Sequence, residues 1–78
     1  MPKKFIDRFT RIDQLIARKA TGTPQELAER LDISESTLYE YFAVMKDLGA
    51  PIKYDKIKCT YYYEINGRFK IKFFEENF

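Results

Sequence analysis

Two helix starts separated by a short break constrain the fold of this chain most strongly. "TPQE" begins a helix, because Thr23 suits the N-cap, Pro24 tolerates the first helical position and Glu26 completes a capping box. The apolar pattern runs to about Leu31, and Ser34 is then placed to cap a further helix. Two helices joined by so short a break must cross at a corner, which is the geometry of a helix-turn-helix.

The break and the helix after it support this reading. Asp32 tolerates the left-handed conformation that the turn requires, and Ile33 is placed to fill the angle between the helices. The next helix is predicted to end at Gly49, with Pro51 preventing its continuation. One face of this helix carries Leu38, Tyr41, Phe42, Met45 and Leu48, and the opposite face carries Ser36, Glu40, Ala43 and Asp47, with Tyr39 at its margin.

An amphipathic helix precedes this pair, and strands follow it. The first helix is predicted from Lys4 to about Ala20, with Gly22 in a left-handed cap. After Pro51 the period changes toward 2, and three strands are predicted at "IKY", "TYYYEI" and "RFKIKFF". The sequence therefore predicts one α+β domain over residues 1–78, with a helix-turn-helix at about 23–48 and a three-stranded antiparallel sheet at about 52–74.

Asn66-Gly67 is a strong hairpin signal between the second and third strands. A two-residue turn there would place on one face the pairs Ile65 with Arg68, Tyr63 with Lys70 and Tyr61 with Lys72. The other face would carry Tyr62, Phe69, Ile71 and Phe73, and we expect this second set to pack on the helices.

Composition excludes several classes of protein. The 78 residues contain no histidine and one cysteine, and they carry no glycine-rich phosphate loop. We therefore expect no enzyme, no metal site and no cofactor. Cys59 cannot form an internal disulfide and the N-terminus lacks a signal-peptide core, so a cytoplasmic location is expected. No apolar run approaches the ~20 residues that span a bilayer.

The net charge of +2 hides an uneven distribution. Residues 1–20 and 53–72 each carry six bases and two acids, whereas residues 21–50 carry six acids and two bases. Basic ends therefore flank an acidic middle segment. Lys3, Lys4, Arg8 and Arg11 form either a phosphate-binding arm or the solvated side of the first helix, and both readings stay open.

The stretch "LAERLDISESTLYEYFAVMKDLGAPIKYD" resembles the winged helix-turn-helix domains at the N-termini of many bacterial regulators, notably the biotin-repressor type. The resemblance spans about residues 10 to 65. It implies a fold in which the start of the third helix enters the major groove of double-stranded DNA. It also implies a wing at about Asp55 to Cys59, whose Lys56 and Lys58 would contact phosphates.

The resemblance identifies the candidate site residues. The DNA-binding set is Ser34, Glu35, Ser36, Thr37, Tyr39, Glu40, Lys56 and Lys58. Ser34, Ser36, Thr37 and Tyr39 can donate hydrogen bonds to phosphates or bases, and a glutamate can accept one from cytosine N4. The family often has arginines early in this helix, where this chain has Glu35, Ser36 and Glu40.

Structural explanations compete with each of these roles. The hydroxyls could serve only to cap the helix, the glutamates could form a solvated face, and the lysines could belong to an ordinary loop. Tyr61 and Tyr63 opposite Lys70 and Lys72 could form a stacking platform or simply stabilise an exposed sheet face. No redox role is assigned to Cys59.

The leading hypothesis is therefore a sequence-specific DNA-binding protein of bacterial type, either a transcriptional regulator or an accessory protein of a mobile element. A module this small makes few phosphate contacts, so a homodimer or attachment to other domains is expected. The alternative is a winged helix used for protein–protein interaction or oligomerisation, with the acidic helices facing a basic partner.

Overall fold

Three helices followed by one β-hairpin make up the part of the chain that the computed structural model describes, which is residues 3–70, with side chains from residue 5. The elements are α1 (Lys3–Ala17), α2 (Pro24–Leu31), α3 (Glu35–Asp47), β1 (Ile52–Asp55) and β2 (Thr60–Tyr63). The two strands are antiparallel, with Ile52 opposite Tyr63 and Asp55 opposite Thr60. The α+β class and the arrangement of a winged helix are thereby confirmed.

The predicted capping box begins α2. The backbone N–H of Glu26 donates to Thr23 Oγ1 at 3.2 Å, and the backbone N–H of Thr23 donates to Glu26 Oε1 at 3.1 Å. These two bonds satisfy donors that a helix N-terminus otherwise leaves without partners. They also hold the pKa of Glu26 below its usual value, chiefly through the backbone hydrogen bond from Thr23.

The turn residues that end α2 and α3 agree with the sequence prediction. Asp32 adopts φ 55° and Gly49 adopts φ 100°, both in the left-handed region. The chain then closes each helix with a bond back across its last turn, from Ile33 N to Ala28 O at 3.0 Å and from Ala50 N to Met45 O at 2.9 Å. The helix-turn-helix corner is therefore fixed by local backbone geometry.

The end of α1 differs from the prediction. The helix ends at Ala17, and Lys19 rather than Gly22 supplies the left-handed cap, with φ 56°. Ala20 N donates to Leu15 O at 2.9 Å and closes the last turn. Gly22 also has a positive φ, of 75°, but it lies in the loop that leads into α2. The loop between α1 and α2 is consequently longer than expected.

The core lies between α1, α3 and the hairpin, with α2 closing one side. Its fully buried apolar side chains are Phe9, Ile12, Ile16, Leu27, Leu38 and Met45. Ala28 is buried and Ile33 packs against the edge of the core, as the helix-turn-helix pattern requires. Leu48, predicted on the buried face, is instead 66% exposed. The reason is that α3 ends at Asp47 and Leu48 is the non-helical cap residue.

The predicted third strand is not found within the described residues. Residues 64–70 form no strand, and residues 71–74 of the predicted segment lie outside the described part. Backbone N–H of Phe69 donates to the Asp13 carboxylate at 2.7 Å, so the chain is tied to α1 instead of pairing with β2. The pairing of Tyr63 with Lys70 and of Ile65 with Arg68 was therefore wrong.

The assignment of faces to β2 was also wrong. Tyr61, expected on an exposed face with Lys72, is buried, and its ring lies 4.5 Å from that of Phe42 on α3. Tyr63, expected beside it, is half-buried and points to α1, where its hydroxyl donates to Asp13 at 2.8 Å. Tyr62, expected to pack on the helices, is only partly buried. Tyr61 and Tyr63 therefore hold the hairpin to the helices and do not form an exposed stacking platform.

Candidate nucleic-acid interface

Three hydroxyls form one hydrogen-bond network at the N-terminus of α3. Ser34 Oγ accepts from the backbone N–H of Thr37 at 3.1 Å and donates to Thr37 Oγ1 at 2.9 Å. Ser36 Oγ lies 3.2 Å from Ser34 Oγ. Because a serine hydroxyl has one proton and that of Ser34 goes to Thr37, Ser36 is the donor in this last contact. Within the described residues, the Thr37 hydroxyl proton is left free for an outside acceptor.

The other predicted residues of α3 lie on its exposed surface in two groups. Glu35 and Tyr39, one helical turn apart, face the sheet side, where both lie close enough to the Tyr61 phenol to disfavour its ionisation. Burial is the main cause that raises the pKa of Tyr61 to about 12. Tyr39 is 48% exposed, whereas Ser36 and Glu40 project away from the core. The first two turns of α3 therefore present a polar surface beside the hairpin.

The wing is a four-residue loop, residues 56–59, that joins the two strands. The Asp55 carboxylate accepts from the backbone N–H groups of Ile57 at 2.9 Å and Lys58 at 3.0 Å. The hydrogen bond from Lys58 is the main cause that lowers the pKa of Asp55. Cys59 then closes the loop with φ 53°. Asp55 thus fixes the loop from which the exposed Lys56 and Lys58 side chains extend.

Hydrogen bonds to the hydroxyls of two threonines fix the position of the wing relative to α2. Backbone N–H of Thr21 donates to Thr60 Oγ1 at 3.2 Å, and backbone N–H of Tyr61 donates to Thr21 Oγ1 at 2.8 Å. Thr21 and Thr60 are both buried. Since Thr21 lies two residues before the N-cap of α2, the base of the wing is held against the N-terminal end of that helix.

A buried carboxylate fixes the segment that follows the hairpin, and the sequence reading did not identify it. Asp13 is 2% exposed and accepts from Tyr63 Oη, from Phe69 N and, at 2.8 Å, from Arg68 Nε. Arg68 Nη2 lies 2.7 Å from the same Oδ2 oxygen. Burial and the bond to Asp13 raise the pKa of Tyr63 above its usual value. The signal in the sequence was a charged residue inside the apolar stripe of α1.

The electrostatics of α3 are unfavourable for a polyanion when this helix is considered alone. It carries Glu35, Glu40 and Asp47 against Lys46. None of these four residues forms an ion pair with another described residue, so the acidic charge is not neutralised internally. Any approach to DNA therefore requires cations on neighbouring elements.

Basic residues near the N-terminus provide one such group. Lys3 and Lys4 lie in the first turn of α1, but their side chains fall outside the described part. Arg8 and Arg11 line a shallow groove between α1 and α2, together with Arg30. The sequence indicates the first two of these arginines as candidates, but no pattern in it places Arg30 beside them.

Other kinds of site find little support. Across residues 3–70, no group of histidine, cysteine or carboxylate side chains is arranged to hold a metal ion. In the same part of the chain, no helix has the length and apolar character needed to cross a bilayer. The exposed sulfhydryl of Cys59 donates to the Lys56 carbonyl, at 3.5 Å.

Comparison with known proteins agrees with this geometry. The family model described as an HTH domain matches residues 8–62, which cover α1 from Arg8 onward, all of α2 and α3, and the hairpin except its last residue. Neither the curated proteins nor the solved structures gave a significant match.

Proposed function

Since this chain belongs to the helix-turn-helix (HTH) domain family, a family of DNA-binding domains, we propose that it binds double-stranded DNA with the start of α3 in the major groove. In this arrangement Ser36, Thr37 and Tyr39 contact bases or phosphates, and Lys56 and Lys58 contact the backbone beside the groove. The roles of Glu35 and Glu40 follow from the same docking, since each can accept a hydrogen bond from cytosine N4.

The proposal rests on one observation: the hydroxyls at the start of α3 and the lysines of the wing are exposed and held in a fixed position relative to each other. The Tyr61 ring packs on Phe42 of α3, and the Tyr61 backbone N–H donates to Thr21 Oγ1, so the hairpin is held in a fixed position beside α3. The hydroxyls at the start of α3 and the lysines of the wing are therefore presented together. A major groove about 12 Å wide admits a helix, and a wing beside it can reach the flanking phosphates.

The first test measures how binding to a mixed-sequence duplex depends on salt. A labelled duplex is titrated with the protein at several salt concentrations, and the slope of log K against log salt is measured by fluorescence anisotropy. Each lost phosphate contact reduces the slope by about 0.9. We expect Lys56→Gln with Lys58→Gln to reduce the magnitude of the slope by about 2. The double substitution should lower the affinity for all duplex sequences alike.

A matched control removes two lysines of the same segment that do not belong to the wing. Lys53 lies on β1 within 3.9 Å of Glu64, and Lys70 lies beyond the hairpin. We expect Lys53→Gln with Lys70→Gln to leave the slope unchanged. Equal slopes for the wing variant and the wild type would show that the proposed docking geometry is wrong.

Sequence preference is tested at the start of α3. Ser36→Ala removes an exposed hydroxyl but leaves the cap bond between Ser34 and Thr37 in place. We expect it to change which duplexes are preferred in a selection from random sequences, with little effect on stability. Ser34→Ala removes the cap itself and should cost about 1 kcal/mol of stability. Identical preferences for wild type and Ser36→Ala would contradict base contact by this residue.

The broader role follows from the size of the module. A single small domain makes few phosphate contacts, and specific sites usually require a second module. We therefore propose a regulator of transcription or an accessory DNA-binding protein that acts as a dimer or together with further domains. Analytical ultracentrifugation with and without a palindromic duplex tests this, because one protein per duplex at saturation would contradict dimeric binding.

A protein-interaction module is the second candidate. Leu48 is 66% exposed and Ile65 is 69% exposed, and both line a groove between the end of α3 and residues 63–70. This apolar surface, next to the acidic outer face of α3, suits a basic partner with an apolar anchor. Failure of the wild-type protein to bind duplex DNA at low salt would favour this candidate over DNA binding.

A further inference from the structure

Three arginines from two helices meet in a groove on the side of the molecule formed by α1 and α2. The residues that line it are Asp7, Arg8, Arg11, Arg30 and Leu31. Asp7 is thus the single acid against three guanidinium groups. Within the described residues, none of the three arginines forms an ion pair with a carboxylate.

One of these guanidinium groups is held in place by the backbone. Arg30 Nη1 donates to the carbonyl of Ala20, in the loop between α1 and α2, at 2.9 Å. A guanidinium has five donor hydrogens, so most of its donors are left for another acceptor. Such a planar donor set suits phosphate oxygens, which accept paired hydrogen bonds from arginine.

The groove lies close to the start of α3. Leu31 is its last residue along the chain and lies three residues before Ser34, the N-cap of α3. Three residues span at most about 11 Å, so the Leu31 end of the groove lies near the helix start that is proposed to contact the duplex. The groove is thus placed to act on the same ligand as α3.

The Leu31 end of the groove and the wing lie at opposite ends of α2. Thr21 ties the wing to the N-terminal end of this helix, whereas Leu31 is its last residue. The Arg30 side chain runs back along α2 to the Ala20 carbonyl, so Arg8 and Arg11 are the arginines of the groove considered for the far end. The eight residues of α2 give it a length of about 12 Å. That length is close to the width of the major groove of B-DNA, whose two edges are lined by phosphates.

We propose that Arg8 and Arg11 bind backbone phosphates of a DNA duplex at the edge of the major groove opposite to the wing. This inference rests on the proposed function. It explains how α3, with three acids and one base, approaches a polyanion: cations on both sides of the helix neutralise the phosphates that flank it. These two arginines serve orientation and affinity, and they read no bases.

The test compares salt slopes for arginine variants that keep the fold intact. Arg8 and Arg11 form no hydrogen bond through their side chains within the described residues, so their replacement should leave the unfolding midpoint unchanged. We expect Arg8→Gln with Arg11→Gln to reduce the magnitude of the slope of log K against log salt by about 2. Arg18→Gln, which removes an exposed arginine outside the groove, should leave the slope unchanged.

A variant with the opposite effect excludes damage to the fold as the explanation. Asp7→Asn removes the single acid of the groove and should tighten binding about two- to fivefold at low salt, with loss of this gain at high salt. Misfolding cannot produce tighter binding. Unchanged binding by Asp7→Asn would overturn the assignment.

The outcomes separate this inference from the proposed function. If the wild-type protein binds DNA and the Arg8→Gln/Arg11→Gln variant has the wild-type slope, the groove is not a phosphate site, but DNA binding stands. If the wild-type protein fails to bind at low salt, the proposed function fails and this inference fails with it. A reduced slope for the groove variant, with an unchanged slope for Arg18→Gln, supports the inference.

Discussion

Replacement of Asp13 by asparagine should destabilise the protein more than any exposed charge substitution in α1. The carboxylate is buried and accepts bonds from Tyr63 and Phe69 on Oδ1, and from two nitrogens of Arg68 on Oδ2. Asparagine keeps one oxygen and presents an amide NH₂ at the other position. If the oxygen faces Tyr63, the NH₂ faces Arg68, so both bonds from the guanidinium are lost.

The size of the destabilisation follows from the two lost bonds between Arg68 and Asp13. A hydrogen bond to a charged group contributes about 1.5–3 kcal/mol. Because the Arg68 side chain is 50% exposed and can recover water, the lower figure applies, and the loss is about 3 kcal/mol. For a chain of this length, that corresponds to a fall in Tm of roughly 12–24 °C. Breaking a buried pair by removal of one partner has cost a similar amount in other proteins.

Urea unfolding followed by circular dichroism measures the loss of unfolding free energy in Asp13→Asn. Asp7→Asn is the matched control, because Asp7 is an exposed acid of α1, and we expect it to change the unfolding free energy by less than about 0.5 kcal/mol. A double-mutant cycle of Asp13→Asn with Arg68→Gln should give a favourable coupling between the two residues. If Asp13→Asn unfolds at the same urea concentration as Asp7→Asn, the reasoning about this buried carboxylate is refuted.

Two further predictions concern a tyrosine and a glycine. Because burial raises the pKa of Tyr61 from 10.0 to about 12, its protonated form adds stability that is fully present below pH 10 and is lost as the pH rises to 12. The unfolding free energy of the wild type should therefore fall more steeply over that range than that of Tyr61→Phe, and parallel curves would contradict the burial argument. Gly49→Ala should cost about 1–2 kcal/mol in thermal unfolding because φ is 100° and a Cβ there meets no atom within 4 Å, so the cost comes from the backbone alone. Gly67→Ala, at a residue without a left-handed φ, is the control, and an equal loss in both variants would contradict this account.

Local signals in the sequence predicted the helix-turn-helix well. Thr23 and Glu26 lie three residues apart, so their capping box depends on no distant part of the chain. The same holds for the left-handed conformations of Asp32 and Gly49. Aspartate tolerates this conformation, glycine adopts it freely because it has no Cβ, and each residue follows the end of a helix. These features needed only residues within one or two turns of each other, and the family resemblance rested on them.

The errors came from contacts between residues far apart in sequence. Asn66-Gly67 is a local hairpin signal, but Asp13, more than fifty residues earlier, accepts the Phe69 N–H and ties the chain to α1. The alternation of side chains along β2 predicts an exposed face for Tyr61. Contacts with Phe42 of α3 and with the Thr21 hydroxyl place it in the core instead. Periodicity cannot identify such partners, because it describes one segment at a time.

The candidate site was predictable in its residues but not in its arrangement. Ser34, Ser36 and Thr37 are neighbours in sequence, and the geometry of their hydroxyl network follows from a helix start. The grouping of Arg30 with Arg8 and Arg11 depends on how α2 packs beside α1, which no pattern in either helix specifies. The DNA contacts of all these residues stay predictions.

The most direct test of DNA binding through the start of α3 is a titration of ¹⁵N-labelled protein with an unlabelled duplex, followed by amide chemical shifts. We predict that the largest shifts fall in residues 34–40 and 56–58, and that they decrease as salt is added. Shifts confined to residues 44–48 and 63–70, or the absence of shifts at low salt, would contradict the account.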